Sequence, residues 1–301
     1  MVFVRRINSL IHMTDRISIS VVLATIEPWP DLANCLAVLE PQVVAVGGEI
    51  IVGDGHGNAL DPRIAAKSDR IKWIQSPGAS VFELRARGAE AARGEVVALT
   101  EDHCLVDADW CRQVLAAFDA HPEAMAVTGP VLNGSTEKLI DWANFLHTFG
   151  SYFPPVNHDQ RDRCPPAANV AYRRSALGAG PIAPGWIELE LAPRLFHDGL
   201  FYVHDKIAVT HVQSHGFWNT LLAHFDNGRS TTGLHPGVPI SSRQLPWTQY
   251  QGAIRSLGGD SRATPALRAA RPLMLLLSCC HAAGEVVGII AGPGDSPARL
   301  R

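Results

Sequence analysis

The fold is decided by one stretch, GAEAARGEVVALTEDHCLVDADW, which spans residues 88–110. Its centre is an apolar, β-branched run at 95–100, which predicts a strand buried inside a sheet. Three polar side chains follow that run directly, namely Glu101, Asp102 and His103. Because ligands of open α/β sheets collect beyond the carboxyl ends of the strands, we expect these side chains to face a ligand.

The chain before this stretch alternates between strand and helix patterns. Apolar runs at 17–24, 49–58 and 70–75 predict three strands, and the second run breaks into a glycine-rich turn. One helix pattern begins near Pro30, and another covers about 80–93. Since strands that alternate with helices form parallel sheets, the sequence predicts an α/β fold with a mostly parallel sheet covered by helices.

The chain after residue 110 has a more mixed pattern. Residues 124–132 predict a strand, and residues 167–177 predict a strand that runs into a helix. An amphipathic helix pattern follows at 187–199. Residues 200–212 predict a hairpin that turns at Asp205-Lys206.

Composition and charge exclude several classes of protein. With 47% hydrophobic and 18% charged residues over 301 positions, the chain can bury a large core and is neither disordered nor fibrous. A net charge of -3 argues against a dedicated nucleic-acid binder. The six cysteines form no CxxC pair and favour a reducing cytoplasm. Residues 1–16 lack the apolar core of a signal peptide and are expected to be a lead-in.

The order of elements over residues 17–230 resembles the family-two glycosyltransferases of the GT-A fold. The resemblance is strongest at 88–110, where the family has a Gly-Glu pair, a strand that ends in an acidic metal motif, and an Asp-Trp pair. Family members usually carry Asp-any-Asp as the metal motif. This chain carries Glu101 at the first position of the motif and His103 at the last. The resemblance implies a GT-A-like sheet that holds a divalent cation.

The implied metal ligands are Glu101, His103 and His211, and His211 ends the run IAVTHV where the family has a histidine. The cation would be Mn²⁺ or Mg²⁺, which neutralises the charge of a nucleotide diphosphate leaving group. An imidazole is a poor ligand for Mg²⁺ and an acceptable one for Mn²⁺, so His103 favours Mn²⁺.

The same resemblance implies a set of residues that bind the donor. They follow the strands or lie on the next helix: Thr25, Glu27, Asp54, Arg85 and Asp102. A guanidinium suits the diphosphate because its planar fork matches phosphate oxygens, and Arg87 is an alternative to Arg85. Asp54 is alternatively a residue that stabilises an Asx-turn.

The remaining implied residues concern the acceptor. Glu188 matches an acid that opens a helix in the family and is the implied catalytic base, with Glu190 as the alternative. Both glutamates could instead complement the helix dipole. Asn169 and Arg173 match a segment that lies beside the acceptor in the family.

The resemblance implies an inverting glycosyltransferase, which moves a sugar from a nucleotide-sugar donor to a hydroxyl of a glycan or lipid-linked acceptor. A sugar-phosphate nucleotidyltransferase is disfavoured, because residues 24–31 contain no glycine, lysine or arginine to hold the phosphates. A non-catalytic GT-A-like module that binds nucleotide or glycan stays open, because Gly53 and His103 both depart from the family pattern. Turnover of a nucleotide sugar with Mn²⁺ separates the two readings.

The predicted organisation has a lead-in at 1–16, a GT-A-like catalytic domain at 17–230 and a C-terminal extension at 231–301. The extension contains an apolar helix at 272–292, so we expect a helical appendage on the sheet domain.

This apolar helix has two interpretations. The first is contact with a membrane, which would make the protein cytoplasmic and peripheral at the inner face. The second is packing on the globular body or in a homodimer. Glu285 and His281 argue against a true span, since a central acid is costly in a bilayer. Glycines at four-residue spacing permit close helix packing, at Gly284, Gly288 and Gly292.

Overall fold

The computed structural model describes residues 17–26, 29–56, 64, 71–156, 165–178, 181–182, 187–235 and 264–300. Its strands are β1 (Ile19–Thr25), β2 (Glu49–Asp54), β3 (Ile71–Gln75), β4 (Val96–Leu99), β5 (Cys104–Val106), β6 (Ala126–Thr128), β7 (Val131–Asn133), β8 (Val170–Arg173), β9 (Phe201–Val203) and β10 (Val209–His211). Its helices are α1 (Trp29–Ala45), α2 (Val81–Glu90), α3 (Trp110–Ala120), α4 (Leu139–Phe149), α5 (Ile187–His197), α6 (Phe217–Leu234), α7 (Thr264–Ala291) and α8 (Ser296–Arg299).

The larger sheet confirms the predicted α/β architecture. Its seven strands lie in the order β3-β2-β1-β4-β8-β6-β9. The first four are parallel, as the alternation of strands and helices predicted, while β8 runs antiparallel to both of its neighbours. Every residue of β1, β2 and β4 is buried, because helices cover both faces of these apolar runs. The sheet is therefore mostly parallel and mixed at one side.

A second, three-stranded sheet has the order β5-β10-β7. The hairpin predicted over 200–212 is wrong, because β9 pairs with β6 in the larger sheet and β10 pairs with β5 and β7 in the smaller one. The single strand predicted over 124–132 is likewise two strands, one in each sheet. The connection between β6 and β7 contacts the connection between β9 and β10 at Gly129, where a Cβ would collide with the carbonyl oxygen of Ile207. Only glycine lets the two backbones approach so closely.

The apolar helix predicted at 272–292 is the greater part of α7, which packs along α6 and α4. Contact with α6 is backbone to backbone at two of the predicted glycines. A Cβ at Gly284 would collide with the carbonyl oxygen of Phe225, and one at Gly288 would collide with Thr232. From the other side, Gly228 of α6 leaves no room for a Cβ beside His281. The predicted close packing is therefore made with the protein's own body.

We expect Gly284→Ala to lower the free energy of unfolding by about 1–3 kcal/mol, because the added methyl must push α7 away from α6. Thermal and urea unfolding of the full chain measure this loss. The matched control is Ala283→Ser, since Ala283 is the neighbouring position of the same helix and is exposed, and its effect should stay within about 0.5 kcal/mol. Equal stability of both variants would contradict the close packing.

Candidate functional site

Three strands end at the same edge of the larger sheet and bring polar residues together there. Thr25 and Asp54 are in register at the ends of β1 and β2, and Thr100 follows β4, which is parallel to β1. The chain then turns into β5, whose Cys104 pairs with His211 at the end of β10. This pairing places His211 beside the turn that carries residues 101–103.

Glu101, His103 and His211 form a compact cluster at this edge. Each offers one ligand atom, and these atoms all lie within 4.8 Å of one another. The Oε2 atom of Glu101 is 3.4 Å from Nε2 of His103 and 3.3 Å from Nε2 of His211, while the two Nε2 atoms are 3.0 Å apart. A carboxylate oxygen with two imidazole nitrogens is a donor set that Mn²⁺ accepts.

Asp102 orients His103 within the cluster. Its Oδ1 atom lies 2.8 Å from Nδ1 of His103, which leaves Nε2 of that ring directed at Glu101 and His211. A carboxylate in this position fixes the ring of a metal-binding histidine. The Oδ2 atom of Asp102 is buried without a hydrogen-bond partner among the described residues. The sequence assigned Asp102 to the donor, and the structure shows its contact with the histidine.

The side chains of the cluster shift one another's pKa values. Burial alone would raise the pKa of Glu101, but hydrogen bonds from His103 and His211 and the charge of Arg85 hold that pKa well below its usual range. Burial would lower the pKa of His103, but Asp102 and Glu101 raise it to about 10. A cation bound here would therefore replace a proton as the positive charge beside Glu101.

Arg85 joins the cluster from α2. Its Nη2 atom donates to Oε1 of Glu101 at 2.7 Å, and the guanidinium is almost fully buried. The start of α2 is fixed by a capping box, in which Ser80 and Glu83 exchange hydrogen bonds. The alternative arginine, Arg87, instead donates to Ser76. Of the two arginines, Arg85 is the one at the cluster.

Glu188 lies in the first turn of α5 and is 1% exposed. Its Oε1 atom has no hydrogen-bond partner among the described residues. Burial raises the pKa of this carboxyl, and the nearby charge of Arg85 offsets part of the rise. A buried carboxylate with a free oxygen and a raised pKa has the properties of a general base. Glu190 is in the same helix, and its side chain lies outside the described residues.

A cavity opens on the cluster from the side of β1 and α2. Its lining includes Ala24, Ile26, Val81, Phe82, Arg85, Glu101, Asp102, His103, Asn227 and Leu300. Thr25 beneath it is fully buried, with a hydroxyl that has no partner among the described residues. Asp54 accepts from the backbone N–H of His56, the contact of an Asx-turn. Glu27 lies outside the described residues.

The structure does not bring Asn169 and Arg173 to the cluster. The side chain of Asn169 is fully buried and bonded to Trp110 and to the carbonyls of Pro130 and Ile207. Arg173 pairs with Val96 at the beginning of β4, the opposite edge of the sheet from residues 101–103. Its guanidinium donates to the carbonyl of Phe118 in the last turn of α3 and to two carbonyls of the chain that follows this helix. Both residues make contacts that hold the fold together.

Two of the lining residues that were not identified from the sequence come from the C-terminal part of the chain. Asn227 comes from α6 and Leu300 follows α8, and both lie far along the chain from the motifs that resemble the family. Leu300 is held in place by α8, where Ser296 and Arg299 both contact Asp226 of α6. The one feature that could have indicated Asn227 is its polar amide in a helix that packs closely on α7.

The sequence model of glycosyl transferase family 2 matches residues 20–179, which is more than half of the chain. The chain therefore belongs to glycosyl transferase family 2, a family of enzymes that transfer sugars. The match includes Arg85 and the Glu101–His103 turn, whereas Glu188, His211 and Asn227 lie beyond it.

Two curated relatives are similar to parts of this chain. EpsH from Bacillus subtilis (strain 168), a protein named as a glycosyltransferase, is 33% identical over 102 residues, which is 33% of this chain and 29% of EpsH. Polypeptide N-acetylgalactosaminyltransferase 12 from Mus musculus is 30% identical over 137 residues, which is 43% of this chain and 23% of the relative. The chain thus spans less than a third of either relative.

The fold is also found in solved structures. A mannosyltransferase from Pyrobaculum calidifontis, solved in complex with GDP-Man and Mn²⁺, has a TM-score of 0.54 and 13% identity. The comparison covers 90% of this chain and 87% of the other chain. At this identity the likeness shows the fold alone, and it confirms the predicted GT-A-like architecture.

If the cluster binds Mn²⁺, His103→Ala should weaken Mn²⁺ binding by more than about tenfold, because it removes one of three ligands. Calorimetry on the full chain, or the Mn²⁺ signal in electron paramagnetic resonance, measures the affinity. His197→Ala is the matched control, since its side chain is 89% exposed and remote from the cluster. Unchanged affinity in His103→Ala would remove this residue from the ligand set.

Proposed function

We propose that the protein is an inverting, nucleotide-sugar-dependent glycosyltransferase that uses Mn²⁺ or Mg²⁺. The observation that carries this proposal is the Glu101–His103–His211 cluster at the carboxyl edge of the sheet, with Arg85 bonded to it. Membership of glycosyl transferase family 2 supplies the reaction class. Mn²⁺ is the preferred cation in this proposal, because two of the three ligands are imidazoles.

The donor would bind in the cavity between β1, α2 and the cluster. The cation, when bound by Glu101, His103 and His211, supplies positive charge to the diphosphate that leaves the sugar. Arg85 adds a second positive group beside the same position, and its planar fork suits phosphate oxygens. Thr25 and Asp54 end the strands β1 and β2 next to this cavity, and in this proposal a nucleoside would lie on their side of it.

Glu188 would act as the general base that removes the proton from the acceptor hydroxyl. The two carboxylates that line the donor cavity are already bonded, Glu101 to Arg85 and Asp102 to His103. Glu188 keeps a free oxygen among the described residues. In a single displacement the acceptor oxygen bonds to the anomeric carbon as the diphosphate leaves, and Glu188 takes the proton of the acceptor hydroxyl. A single displacement inverts the anomeric carbon.

Glu188→Gln should keep the affinity for the donor and reduce turnover by about 10² to 10⁴, the usual contribution of a general base. Only the ionised carboxylate accepts a proton, and its pKa is raised above 4.5. Turnover of the unaltered enzyme should therefore fall on the acid side as pH drops through that raised pKa. Steady-state kinetics with a panel of nucleotide sugars and Mn²⁺ measure both effects.

Glu190→Gln is the companion variant for this experiment. Full activity in Glu188→Gln with loss in Glu190→Gln would move the base to Glu190. Donor binding without turnover in the unaltered protein would favour the second candidate, a non-catalytic GT-A-like module that binds nucleotide or glycan.

We also propose that α7 lies on a membrane surface, with the protein cytoplasmic and peripheral. The helix segment Pro265–Ala291 is long and apolar enough to span a bilayer by length and composition, with a mean hydropathy of 1.9. Its polar residue Glu285 and its glycines face α6, so a span would have to break that contact. The opposite face is exposed and apolar at Leu276, Val286 and Ile290.

The charges around this face fit a lipid surface better than a second copy of the chain. Arg268 and Arg271 are exposed near the beginning of α7, and no acidic residue is exposed on this helix. Basic residues beside an apolar face attract anionic headgroups. On α6, Trp218 is 73% exposed, as expected of an aromatic residue at a membrane interface.

The double variant Val286→Asp/Ile290→Asp should lose binding to vesicles of phosphatidylglycerol and phosphatidylethanolamine, because two charges would enter the acyl region. Flotation with the full chain measures the bound fraction. Val44→Asp is the matched control, since Val44 is an exposed apolar residue of α1. Loss of a dimer in the double variant, with no vesicle binding by the unaltered chain, would assign the face to a second copy.

For the domain organisation, we propose a catalytic unit that includes all of α6. A boundary at residue 230 would fall inside that helix, which ends at Leu234. The extension then begins after α6, and its helices α7 and α8 pack on α6.

A further inference from the structure

A second cavity opens on the opposite side of the metal cluster. It is bounded by α4, α6 and the chain that follows β10. The two cavities meet at the cluster, since both are lined by Glu101, His103, Asn227 and Leu300. A molecule in the second cavity would therefore reach the cluster at which the proposed donor binds.

Away from the Glu101–His103–His211 cluster, the lining of the second cavity forms hydrogen bonds but carries little charge. Asn144 and Thr148 stand one helical turn apart on the same face of α4 and both contribute to the wall. His224 of α6 contributes beside them, with its Nε2 atom 2.8 Å from Oδ1 of Asn144. Among the residues that the structure describes, Glu101 is the one acid in the lining, and no lysine or arginine contributes.

The imidazole of His224 is held in its neutral form by its surroundings. Burial and the neighbouring rings of His147, His281 and His215 keep its pKa well below the usual range. The ring of His147 meets that of His224 edge to face, at 4.6 Å between centroids. His147 is itself fixed by a contact of 3.0 Å with the hydroxyl of Ser278 in α7. A neutral His224 that donates from Nε2 to Asn144 has Nδ1 as an acceptor.

An aromatic side chain completes the wall. Phe149, at the end of α4, packs against His211 with ring centroids 4.6 Å apart. Amides, a hydroxyl and a neutral imidazole beside an aromatic ring suit a ligand with many hydroxyl groups and an apolar ring face. This part of the wall, away from the cluster, does not suit a phosphate or carboxylate, which calls for arginine, lysine or a cation.

We infer that the cavity lined by Asn144, Thr148 and His224 is the acceptor subsite, and that it takes an uncharged sugar rather than a phosphorylated or acidic one. This inference rests on the proposed function and adds the chemical class of the acceptor to it. An acceptor carried on a lipid would place a neutral sugar here and keep its phosphate outside the cavity.

Saturation-transfer NMR on the full chain with Mg²⁺ and saturating UDP or GDP tests the inference. The probes are neutral methyl glycosides of glucose, galactose, mannose and N-acetylglucosamine, set against glucose 6-phosphate and mannose 6-phosphate. At least one neutral glycoside should bind. In Asn144→Ala its affinity should fall about tenfold, because the variant removes a hydrogen-bonding amide and leaves His224 unpaired. Asn219→Ala, an exposed position on α6, is the matched control and should bind as the unaltered chain does.

Preferential binding of the sugar phosphates, or equal glycoside affinity in Asn144→Ala, would overturn the inference, as would the absence of glycoside binding in a chain that binds nucleotide. Binding of UDP and GDP is measured separately in each variant. Loss of glycoside affinity with unchanged nucleotide affinity supports an acceptor role. If the unaltered chain binds neither nucleotide with Mg²⁺ or Mn²⁺, the proposed function fails first.

Discussion

The carboxylate of Glu101 is the contact on which the site depends. One of its oxygens accepts from Arg85 of α2, and the other faces the Nε2 atoms of His103 and His211. Three separate parts of the chain are joined at this single group: a helix of the parallel half, the turn after β4, and the end of the smaller sheet. A buried carboxylate needs such partners, because an unpaired charge in this position would be strongly unfavourable.

The two sheets provide the geometry for that contact. The parallel strands bring residues 101–103 to the edge where α/β proteins bind ligands. The smaller sheet adds His211 from the other side through its pairing with β5. Two cavities share the cluster in their linings, and Asn227 of α6 contributes to both. The side of α7 away from α6 is exposed.

The parallel half could be predicted from the sequence because β1, β2 and β4 are buried on both faces and appear as continuous apolar runs. The strands β6, β7, β9 and β10 have three residues each, and their pairing depends on a crossing at Gly129 that no local pattern shows. The resemblance to the family implied Glu101, His103 and His211 as metal ligands and Arg85 as a donor-binding residue, and the structure brings all four together. The resemblance did not indicate Asn227 and Leu300, which reach the site only through the packing of α6, α7 and α8.

Two residues predicted to bind the acceptor show a limit of motif matching. Asn169 and Arg173 stand in a segment that resembles the family's acceptor region, but buried hydrogen bonds to backbone carbonyls occupy both side chains. Asn144 and His224 come from helices whose sequence suggests only packing. Such residues are found only once the helices are placed beside the cluster, because the wall of the second cavity is built from tertiary contacts and not from a contiguous motif.

Pulsed electron paramagnetic resonance on the Mn²⁺ complex with a nucleoside diphosphate tests the central claim most directly. The account predicts nitrogen couplings from two imidazoles together with phosphorus coupling from the diphosphate, and the loss of one imidazole coupling in His211→Ala. A Mn²⁺ spectrum with phosphorus coupling but no histidine nitrogen would contradict it, since the cation would then be held by the nucleotide and not by this cluster.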